Sequence, residues 1–333
     1  IDKLKNGDHR VFIVINEKDI LEDLLMEKDF KYFKLIHKKH KNTFLNLIWR
    51  QIIQIFRLSI FSFKNNIDLF VGSTSTIAHV STLLNKKSIS VVEDDAAATP
   101  PYPQITYPFT SVIVAPIECN VGKWKHKKES VDSYHELAYL HPHNFKPSKK
   151  IAANYVNPSE MYFILRFSNL NAYHDNGVNG LEDNIVLNLL DKLKKYGKIH
   201  ITSERKLKPE LEKFRLSIKA NDIHHVMSFS SILIGDSQTM SAESAVLGVP
   251  FIRFNDFVGK ISYCDNLENK YRLGYGIKPQ NVDFLFKKVD DLLSMENRTK
   301  IFQQRRKIML KDKIEYSQFL ADFIQKFSNN SNY

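Results

Sequence analysis

Small polar residues stand at the junction between a predicted strand, 232–234, and a predicted helix in the second half of the chain. They are Ser237, Gln238 and Thr239. Backbone N–H groups and the positive end of a helix dipole converge at such a junction, so it suits an anion such as a diphosphate. Glu243 follows one to two turns into the helix, where its carboxylate can accept hydrogen bonds from ribose hydroxyls. An ordinary N-capped helix, with Ser237 or Thr239 as the cap, is the alternative interpretation.

A run of acids follows a strand in the first half of the chain. Residues 93–95 come directly after the predicted strand 88–92, so we expect them at the carboxyl edge of a parallel sheet, where ligands bind. Asp94 or Asp95 could there act as general base toward a hydroxyl group. Alternatively, the acids cap the next helix or pair with neighbouring lysines. His79, on a predicted helix, is a further catalytic candidate, or a surface histidine with satisfied hydrogen bonds.

The remaining metal-ligand side chains have no metal-site spacing. Three histidines between 135 and 143 and the pair at 224–225 form no i,i+4 helical pair, and Pro142 interrupts the local helix. Cys119 and Cys264 lie in different halves, outside any ligand motif. The eleven glycines form no GxGxxG or Walker A pattern, which argues against a nicotinamide dinucleotide or P-loop nucleotide. We therefore predict no metal and no cofactor.

The positive charge is concentrated in one segment. Residues 30–67 contain eight Lys or Arg and no Asp or Glu, against a net charge of +11 for the whole chain. Aromatic and aliphatic residues alternate there with cations on a predicted helix, which is typical of an element that binds an anionic membrane surface. The alternative is a core helix with a solvated basic edge. Neither half carries a nucleic-acid recognition motif. The predicted membrane or acceptor patch consists of Lys38, Lys39, Lys41, Trp49, Arg50 and Arg57.

Alternating strand and helix patterns must position these groups. The 333 residues suffice for two domains, and 43% hydrophobic content indicates a folded chain. Nearly all-apolar strands are predicted at 11–15, 68–71, 88–92 and 111–114, and a second series of strands is predicted at 162–166, 198–202, 232–234 and 251–254. A proline-containing linker, 138–158, separates the two series. We predict an α/β protein with two doubly wound Rossmann-like domains, 1–145 and 146–333, facing a cleft, with the final helix able to cross back.

Two properties concern the setting of the protein. No apolar run reaches the roughly 18 residues of a membrane span, and the cysteine content fits a reducing compartment. We therefore expect a cytoplasmic protein that can bind the inner face of the plasma membrane. The chain opens at Ile1 instead of a methionine. Since 7–10 resembles the end of a first helix, we expect the first strand and its loop to precede Ile1.

A motif adds a resemblance. Residues 243–250 resemble the E-x-A-x-x-G-x-P signature of GT-B nucleotide-sugar enzymes, which include the peptidoglycan N-acetylglucosaminyltransferase and the UDP-N-acetylglucosamine 2-epimerases. That resemblance implies that the turn 237–239 holds the diphosphate of a UDP-sugar and that Glu243 holds the ribose. The candidate donor-binding residues are Arg166, His174, Ser203, His224, Ser237, Gln238, Thr239 and Glu243.

A closer resemblance covers nearly the whole chain. It is to an uncharacterised bacterial and archaeal domain family of unknown function, which is often met in surface-polysaccharide gene clusters. The matching stretches are 134–142, 165–167, 172–175, 222–225, 234–255 and 257–260. This resemblance implies a fold and a setting but no reaction.

Acids that the 2-epimerases use are missing from the corresponding positions. Their G-D-T pattern corresponds to 72–74, which reads Gly-Ser-Thr, and their P-E-E pattern falls near Pro103 and Gln104. Of their His-Arg pair only Arg166 remains. Because epimerisation by elimination needs proton-transfer groups, we predict a metal-independent glycosyltransferase that uses a UDP-sugar and a glycan or lipid-linked acceptor. The alternatives are a 2-epimerase, a hydrolase of the same fold, and a non-catalytic subunit that binds a glycan precursor.

Overall fold

The computed structural model describes residues 1–5, 9–16, 20–36, 44–168 and 180–329, and the chain divides into two compact units. Unit 1 consists of Ile1–Val131 together with Ser317–Tyr333, and unit 2 consists of Asp132–Tyr316. The sequence prediction places the domain boundary after residue 145. In the structure, segment 132–145 belongs to unit 2.

Hydrogen bonds explain why the start of this segment groups with unit 2. The Lys313 ammonium lies 2.6 Å from Asp132 Oδ1, and the Ile314 N–H donates to the Asp132 carbonyl at 3.0 Å. The Ser133 hydroxyl donates to the Ile314 carbonyl at 2.6 Å. These bonds connect residues far apart in sequence, so no local pattern indicates them.

The described strands of unit 1 form two parallel sheets. The first pairs β1 (Ile13–Ile15) with β2 (Tyr32–Lys34). The second has the order β3-β4-β5-β6, with strands at Leu69–Gly72, Lys87–Val91, Val112–Pro116 and Lys128–Val131. The helices of this unit are α1 (Asp2–Lys5), α2 (Ile20–Glu27), α3 (Phe44–Asn65), α4 (Ser75–Leu83), α5 (Pro101–Thr106) and most of α15 (Tyr316–Asn329).

Unit 2 contains one parallel sheet of five strands in the order β11-β10-β9-β7-β8. The strands are β7 (Tyr162–Phe167), β8 (Lys198–Ser203), β9 (Ile232–Gly235), β10 (Phe251–Phe254) and β11 (Gly274–Ile277). The helices are α6 (Leu137–Leu140), α7 (Lys149–Ala152), α8 (Asp183–Leu193), α9 (Pro209–Glu212), α10 (Ile223–Met227), α11 (Gln238–Leu247), α12 (Ser262–Asp265), α13 (Val282–Ser294) and α14 (Arg298–Asp312). The predicted α/β class is confirmed.

The strand order of unit 2 reverses at β7. From β7 the chain moves to β8 on one side, and it then crosses to β9 on the other side. Ligands of open parallel sheets bind at the carboxyl ends of the strands where the order reverses. The carboxyl ends of β7 and β9 are therefore where the fold of unit 2 favours a binding site.

Helix α11 follows β9, and most of its side chains are buried within unit 2. Every side chain from Met240 to Leu247 is buried. Gly248 ends the helix with a φ of 74°, a left-handed conformation that suits glycine. Side chains of α14 satisfy the last carbonyls, because Gln303 donates to Leu247 and Gly248, and Arg306 donates to Val246. The helix is thus capped at its carboxyl end by side chains as well as by backbone.

Some elements differ from the sequence prediction. Strands β2, β6 and β11 are absent from the predicted set, and α15 is the last helix of the chain. The predicted linker 138–158 lies inside unit 2 and contains part of α6 and all of α7. Among the residues that the structure describes, no helix combines the length and the apolar character needed to cross a bilayer.

Candidate functional site

The carboxyl ends of β7 and β9 approach each other closely at the point where the strand order reverses. Arg166 and Gly235 are register partners there. A Cβ on Gly235 would lie 2.8 Å from both the Cβ and the carbonyl oxygen of Arg166, closer than real Cβ contacts allow. Glycine is therefore needed at this position, and it brings the turn after β9 directly beside the end of β7.

Asp236 links three strand ends. Its Oδ1 accepts from the Ser168 N–H at 2.6 Å, and its own N–H donates to the Arg166 carbonyl at 3.2 Å. Its carbonyl accepts from the Asn255 side-chain amide at 2.8 Å, which connects the turn to the residue after β10. Both Asp236 and Asn255 are fully buried. The turn is therefore held by side-chain and backbone bonds to the ends of β7 and β10.

Burial raises the pKa of the Asp236 carboxyl above its usual value. The Ser168 N–H and the charge of Arg205 act in the opposite direction. The Leu181 N–H also lowers this pKa. The carboxyl that holds the turn is therefore one whose charged form is disfavoured by burial. Sequence analysis missed this residue, although it directly precedes the predicted turn.

The amino end of α11 has the predicted geometry. Ser237 is the N-cap, and its Oγ accepts from the Met240 N–H at 3.3 Å. The N–H groups of Gln238 and Thr239 belong to the first turn, where a helix supplies no acceptor of its own. Thr239 is exposed and Gln238 is half-buried. The N-cap interpretation thus describes the Ser237 hydroxyl, while the first-turn N–H groups of Gln238 and Thr239 have no acceptor within the helix.

Glu243 lies between two side chains of unit 2. Its Oε1 accepts from the Tyr139 hydroxyl at 2.9 Å and lies 3.0 Å from His224 Nε2. The contact to His224 is close in distance but lacks hydrogen-bond geometry. The Tyr139 and His224 rings are 5.6 Å apart, and Phe145 lies 6.1 Å from His224. The structure therefore brings together two predicted residues, Glu243 and His224, and adds Tyr139.

Two other predicted donor-binding residues have partners inside unit 2. Arg166 forms an ion pair with the exposed Glu204 through Nη2. The Ser203 hydroxyl donates to the Arg205 carbonyl at 2.7 Å and accepts from the Arg205 N–H at 3.1 Å, so it shapes its own loop. Arg166 is beside the turn by its register with Gly235. His174 lies outside the described residues.

The acids of unit 1 hold a loop together. Asp95 is 5% exposed, and its Oδ1 accepts from the Asn120 N–H at 2.7 Å. The Ala96 N–H donates to the Asn120 carbonyl, and the Cys119 thiol donates to the Asp94 carbonyl at 3.1 Å. These bonds join the loop after β4 to the loop after β5. Asp95 thus has a structural role, whereas the Asp94 side chain is only partly buried.

His79 is enclosed by neighbouring helices of unit 1. Its Nε2 lies 2.7 Å from the Ile105 carbonyl, and its Nδ1 lies 3.3 Å from Gln51 Nε2. Its ring packs edge-on against Phe109 at 4.8 Å. Both ring nitrogens thus have a hydrogen-bond partner, which favours the alternative of a satisfied structural histidine over a catalytic one.

The basic patch lies partly on α3. Lys38, Lys39 and Lys41 lie outside the described residues, whereas Trp49, Arg50 and Arg57 are on α3. The Arg57 guanidinium donates to the Leu35 carbonyl at 2.7 Å. Throughout the described ranges, no group of three or more His, Cys, Asp or Glu side chains could hold a metal ion.

No protein-family model matches the chain, and no curated protein shows significant sequence similarity to it. Solved structures do resemble it. The UDP-GlcNAc 2-epimerase from Neisseria meningitidis bound to UDP-GlcNAc has a TM-score of 0.65 at 13% identity, covering 98% of this chain and 94% of that one. S. aureus MnaA in a co-structure with UDP has a TM-score of 0.67 at 14% identity, covering 98% and 92%. The spinosyn forosaminyltransferase SpnP has a TM-score of 0.64 at 11% identity, covering 98% and 94%.

These neighbours establish the fold class. The chain has the GT-B-like α/β fold that epimerases and glycosyltransferases share, as the 243–250 motif predicts. An epimerase and a glycosyltransferase resemble it to nearly the same degree, with TM-scores of 0.65 and 0.64. The overall fold therefore does not discriminate between the two reactions, and the residues must do so.

Proposed function

We propose that unit 2 binds the nucleotide part of a UDP-sugar and that the protein is a metal-independent glycosyltransferase. The observation that carries this proposal is the arrangement of donors and acceptor on α11. The first-turn N–H groups suit a diphosphate, and the Cα of Glu243 lies about 7 Å further along the helix axis, at 1.5 Å per residue. A nucleoside diphosphate can span that separation.

The side chains near Glu243 support a ribose contact. The Tyr139 hydroxyl donates to one oxygen of the carboxylate, Oε1, and this oxygen also lies 3.0 Å from His224 Nε2. The other oxygen keeps its capacity to accept from ribose hydroxyls, and hydrogen bonds to charged groups contribute about 1.5–3 kcal/mol. Arg166 would exchange the exposed Glu204 for the diphosphate, which carries more negative charge.

The loop after β4 is the proposed source of the catalytic base. Asp94 would take the proton from the acceptor hydroxyl as its oxygen bonds to the anomeric carbon of the sugar, and the bond from that carbon to the diphosphate breaks to release UDP. We place the acceptor among glycans or lipid-linked precursors of a surface polysaccharide or glycolipid. The resemblance to the uncharacterised polysaccharide-cluster family supports that setting, and membership of that family stays a prediction.

Epimerisation is the second candidate because the epimerase neighbours match as well as the transferase. The strand end that corresponds to the epimerase acid is Gly72, at the end of β3, followed by Ser73 and Thr74. None of these side chains is a carboxylate. Elimination needs a base that removes a proton from the sugar, so the absence of a carboxylate from this position favours glycosyl transfer.

Calorimetry with UDP and product analysis with UDP-N-acetylglucosamine test the proposal. Glycosyl transfer predicts UDP binding and UDP release that requires an added acceptor. An epimeric sugar nucleotide formed without acceptor would establish the alternative, and free sugar formed without acceptor would indicate a hydrolase. UDP binding with no turnover of any sugar nucleotide would leave a precursor-binding subunit, and failure to bind UDP would refute the nucleotide assignment itself.

A further inference from the structure

Helix α3 exposes a continuous apolar stripe. Its members are large hydrophobic side chains, and three of them are largely in solvent: Trp49 at 63%, Phe56 at 65% and Phe63 at 82% exposure. The whole stripe consists of Ile48, Trp49, Ile52, Phe56, Ile60 and Phe63. At about 100° per residue, these positions fall within a sector of about 120° along the full length of the helix. An exposed apolar patch of this kind marks an interaction surface.

The stripe is distinct from the face with which α3 packs in unit 1. Gln54, Leu58 and Ser62 are buried on the inner face, and Leu58 packs with Phe70 and Val80. Thr76 of α4 donates to Gln54 Oε1 at 3.2 Å. The inner face and the stripe point roughly 145° apart at the same helical pitch. The core of unit 1 therefore accounts for one face of α3 and leaves the other in solvent.

Cations follow one edge of the stripe. Arg50, Arg57 and Lys64 are spaced seven residues apart, so they form a row parallel to the helix axis beside the apolar side chains. Lys64 and Arg57 are exposed, and Arg57 also binds the Leu35 carbonyl. Residues 30–67 contain no acid. An apolar stripe with a basic edge matches the surface of an anionic bilayer.

The charge pattern also argues against a second copy of this chain as the partner that covers the stripe of α3. Pairing of α3 with α3 of another molecule would bury two stripes, but residues 30–67 contain no Asp or Glu to complement either row of cations. An antiparallel pair would place the two rows side by side. Like charges at such distances are destabilising, whereas anionic headgroups offset them.

We infer that α3 is a membrane-docking helix, which lies in the headgroup region of an anionic bilayer with Trp49, Phe56 and Phe63 toward the acyl chains and Arg50, Arg57 and Lys64 toward lipid phosphates. This inference goes beyond the proposed nucleotide-sugar chemistry, and it holds or fails independently of UDP binding. It differs from the sequence prediction in its residues, because the docking face is the outer surface of α3 and includes Lys64.

Sedimentation of the full chain with vesicles tests the docking helix. Vesicles of phosphatidylcholine mixed with phosphatidylglycerol should bind the protein at low salt, pure phosphatidylcholine should bind it weakly, and added salt should release it. Phe56→Ser should lower the partition coefficient by about tenfold or more, since the ring leaves water on binding. The double variant Arg50→Gln and Lys64→Gln should lower it by about 25-fold, at about fivefold per cation.

Matched controls come from α14 of unit 2. Ile308 has a similar exposure, 60%, and Ile308→Ser should leave binding unchanged. The double variant Lys300→Gln and Lys307→Gln removes two exposed helical cations without touching the stripe. If these control variants weaken binding as much as the α3 variants, binding reflects net charge and the inference fails.

Fluorescence locates the bound surface. The chain has two tryptophans, Trp49 and Trp124. Brominated acyl chains should quench the emission of the bound protein, and Trp124→Phe, which leaves Trp49 as the single tryptophan, should keep most of that quenching. Absence of vesicle binding at low salt would overturn the inference. So would a stable dimer that Phe56→Ser converts to monomer, because the stripe would then be an interface between copies.

Discussion

The connections that follow β9 and β4 are built in opposite ways, although both leave the carboxyl end of a parallel strand. After β9 only Asp236 and Ser237 precede α11, and the helix itself is buried. After β4, nine residues, 92–100, precede α5. The short connection directs backbone N–H groups outward and keeps its carboxylate buried. The long connection carries three acids.

This difference separates what each region can do. The turn before α11 offers fixed backbone donors, which bind an anion whatever the side chains are. In the loop after β4, the chemistry depends on side chains, and the Asp95 carboxylate is already used to hold Asn120. We therefore expect substitutions in unit 2 to change nucleotide affinity, and substitutions in the loop of unit 1 to change turnover.

Asp94→Asn should have the largest effect on turnover, a loss of about 10² or more, at unchanged UDP affinity, because it removes the proposed base. Asp95→Asn should also lower stability by about 1–3 kcal/mol, since the Asn120 N–H loses a charged acceptor. Steady-state kinetics and thermal unfolding separate the two variants. Asp68→Asn, an exposed acid paired with Lys86, is the control and should change neither. If both the Asp94 and the Asp95 variants keep full turnover, the acids at 93–95 do not take part in the reaction.

Glu243→Gln should weaken UDP binding by roughly ten- to a hundredfold, since the ribose loses a charged acceptor. The amide keeps the shape of the side chain and can still accept from Tyr139, so the melting temperature without ligand should not change. Glu210→Gln, on the exposed surface of α9, controls for loss of charge in the same unit. Calorimetry would contradict the assignment if both variants bound UDP as tightly as the parent.

The variants Gly235→Ala and Gly72→Ala compare how tightly the ends of β9 and β3 are packed. The new Cβ would meet Arg166 at 2.8 Å, so we expect a loss of about 1–3 kcal/mol in unfolding free energy. Gly72, at the end of β3, has only an ordinary contact of 3.5 Å, to Ile77. Gly72→Ala should therefore be close to neutral. Equal destabilisation of both variants in a denaturant titration would show that the β9 turn is no more tightly packed than the β3 end.

Tyr139→Phe should have the smallest effect, a weakening of UDP binding by about three- to tenfold, the equivalent of one hydrogen bond. The carboxylate of Glu243 would lose the hydroxyl that donates to its Oε1. Tyr155→Phe removes a similar bond, from its hydroxyl to Asp222 Oδ2 at 2.6 Å, and serves as the matched control. If the two variants affect UDP affinity equally, Tyr139 does not act through Glu243.

The interior strands of the two larger sheets were predicted from sequence, and so were the edge strands β3 and β8, but the edge strands β6 and β11 were not. The prediction 251–254 matches β10, and 232–234 differs from β9 by one residue, because strands covered on both faces are nearly all apolar. Strands β6 and β11 lie at sheet edges, with sequences Lys-Glu-Ser-Val and Gly-Tyr-Gly-Ile. An edge strand pairs on one side only and need not be apolar, so its composition gives little signal.

The candidate site was predictable as far as local sequence reaches. The turn 237–239 and the helical position of Glu243 follow from a strand–turn–helix pattern. The Tyr139 contact does not, because it joins residues 104 positions apart. Nor does the partner of Arg166 follow, since Glu204 reaches it from the end of the neighbouring strand β8. Pattern analysis finds the backbone frame of such a site, and only packing identifies the side chains that fix it.

The burial of α11 has a kinetic consequence. Its side chains are enclosed from Met240 to Leu247, and Gln303 and Arg306 bind its final carbonyls. Local fraying of such a helix requires α14 to separate from it, so its amide protons should exchange with deuterated solvent only through opening of the whole unit. The N–H groups of Gln238 and Thr239 should exchange fast until a ligand covers them. Their protection on adding UDP would then report occupancy directly, against a helix whose remaining amides do not change.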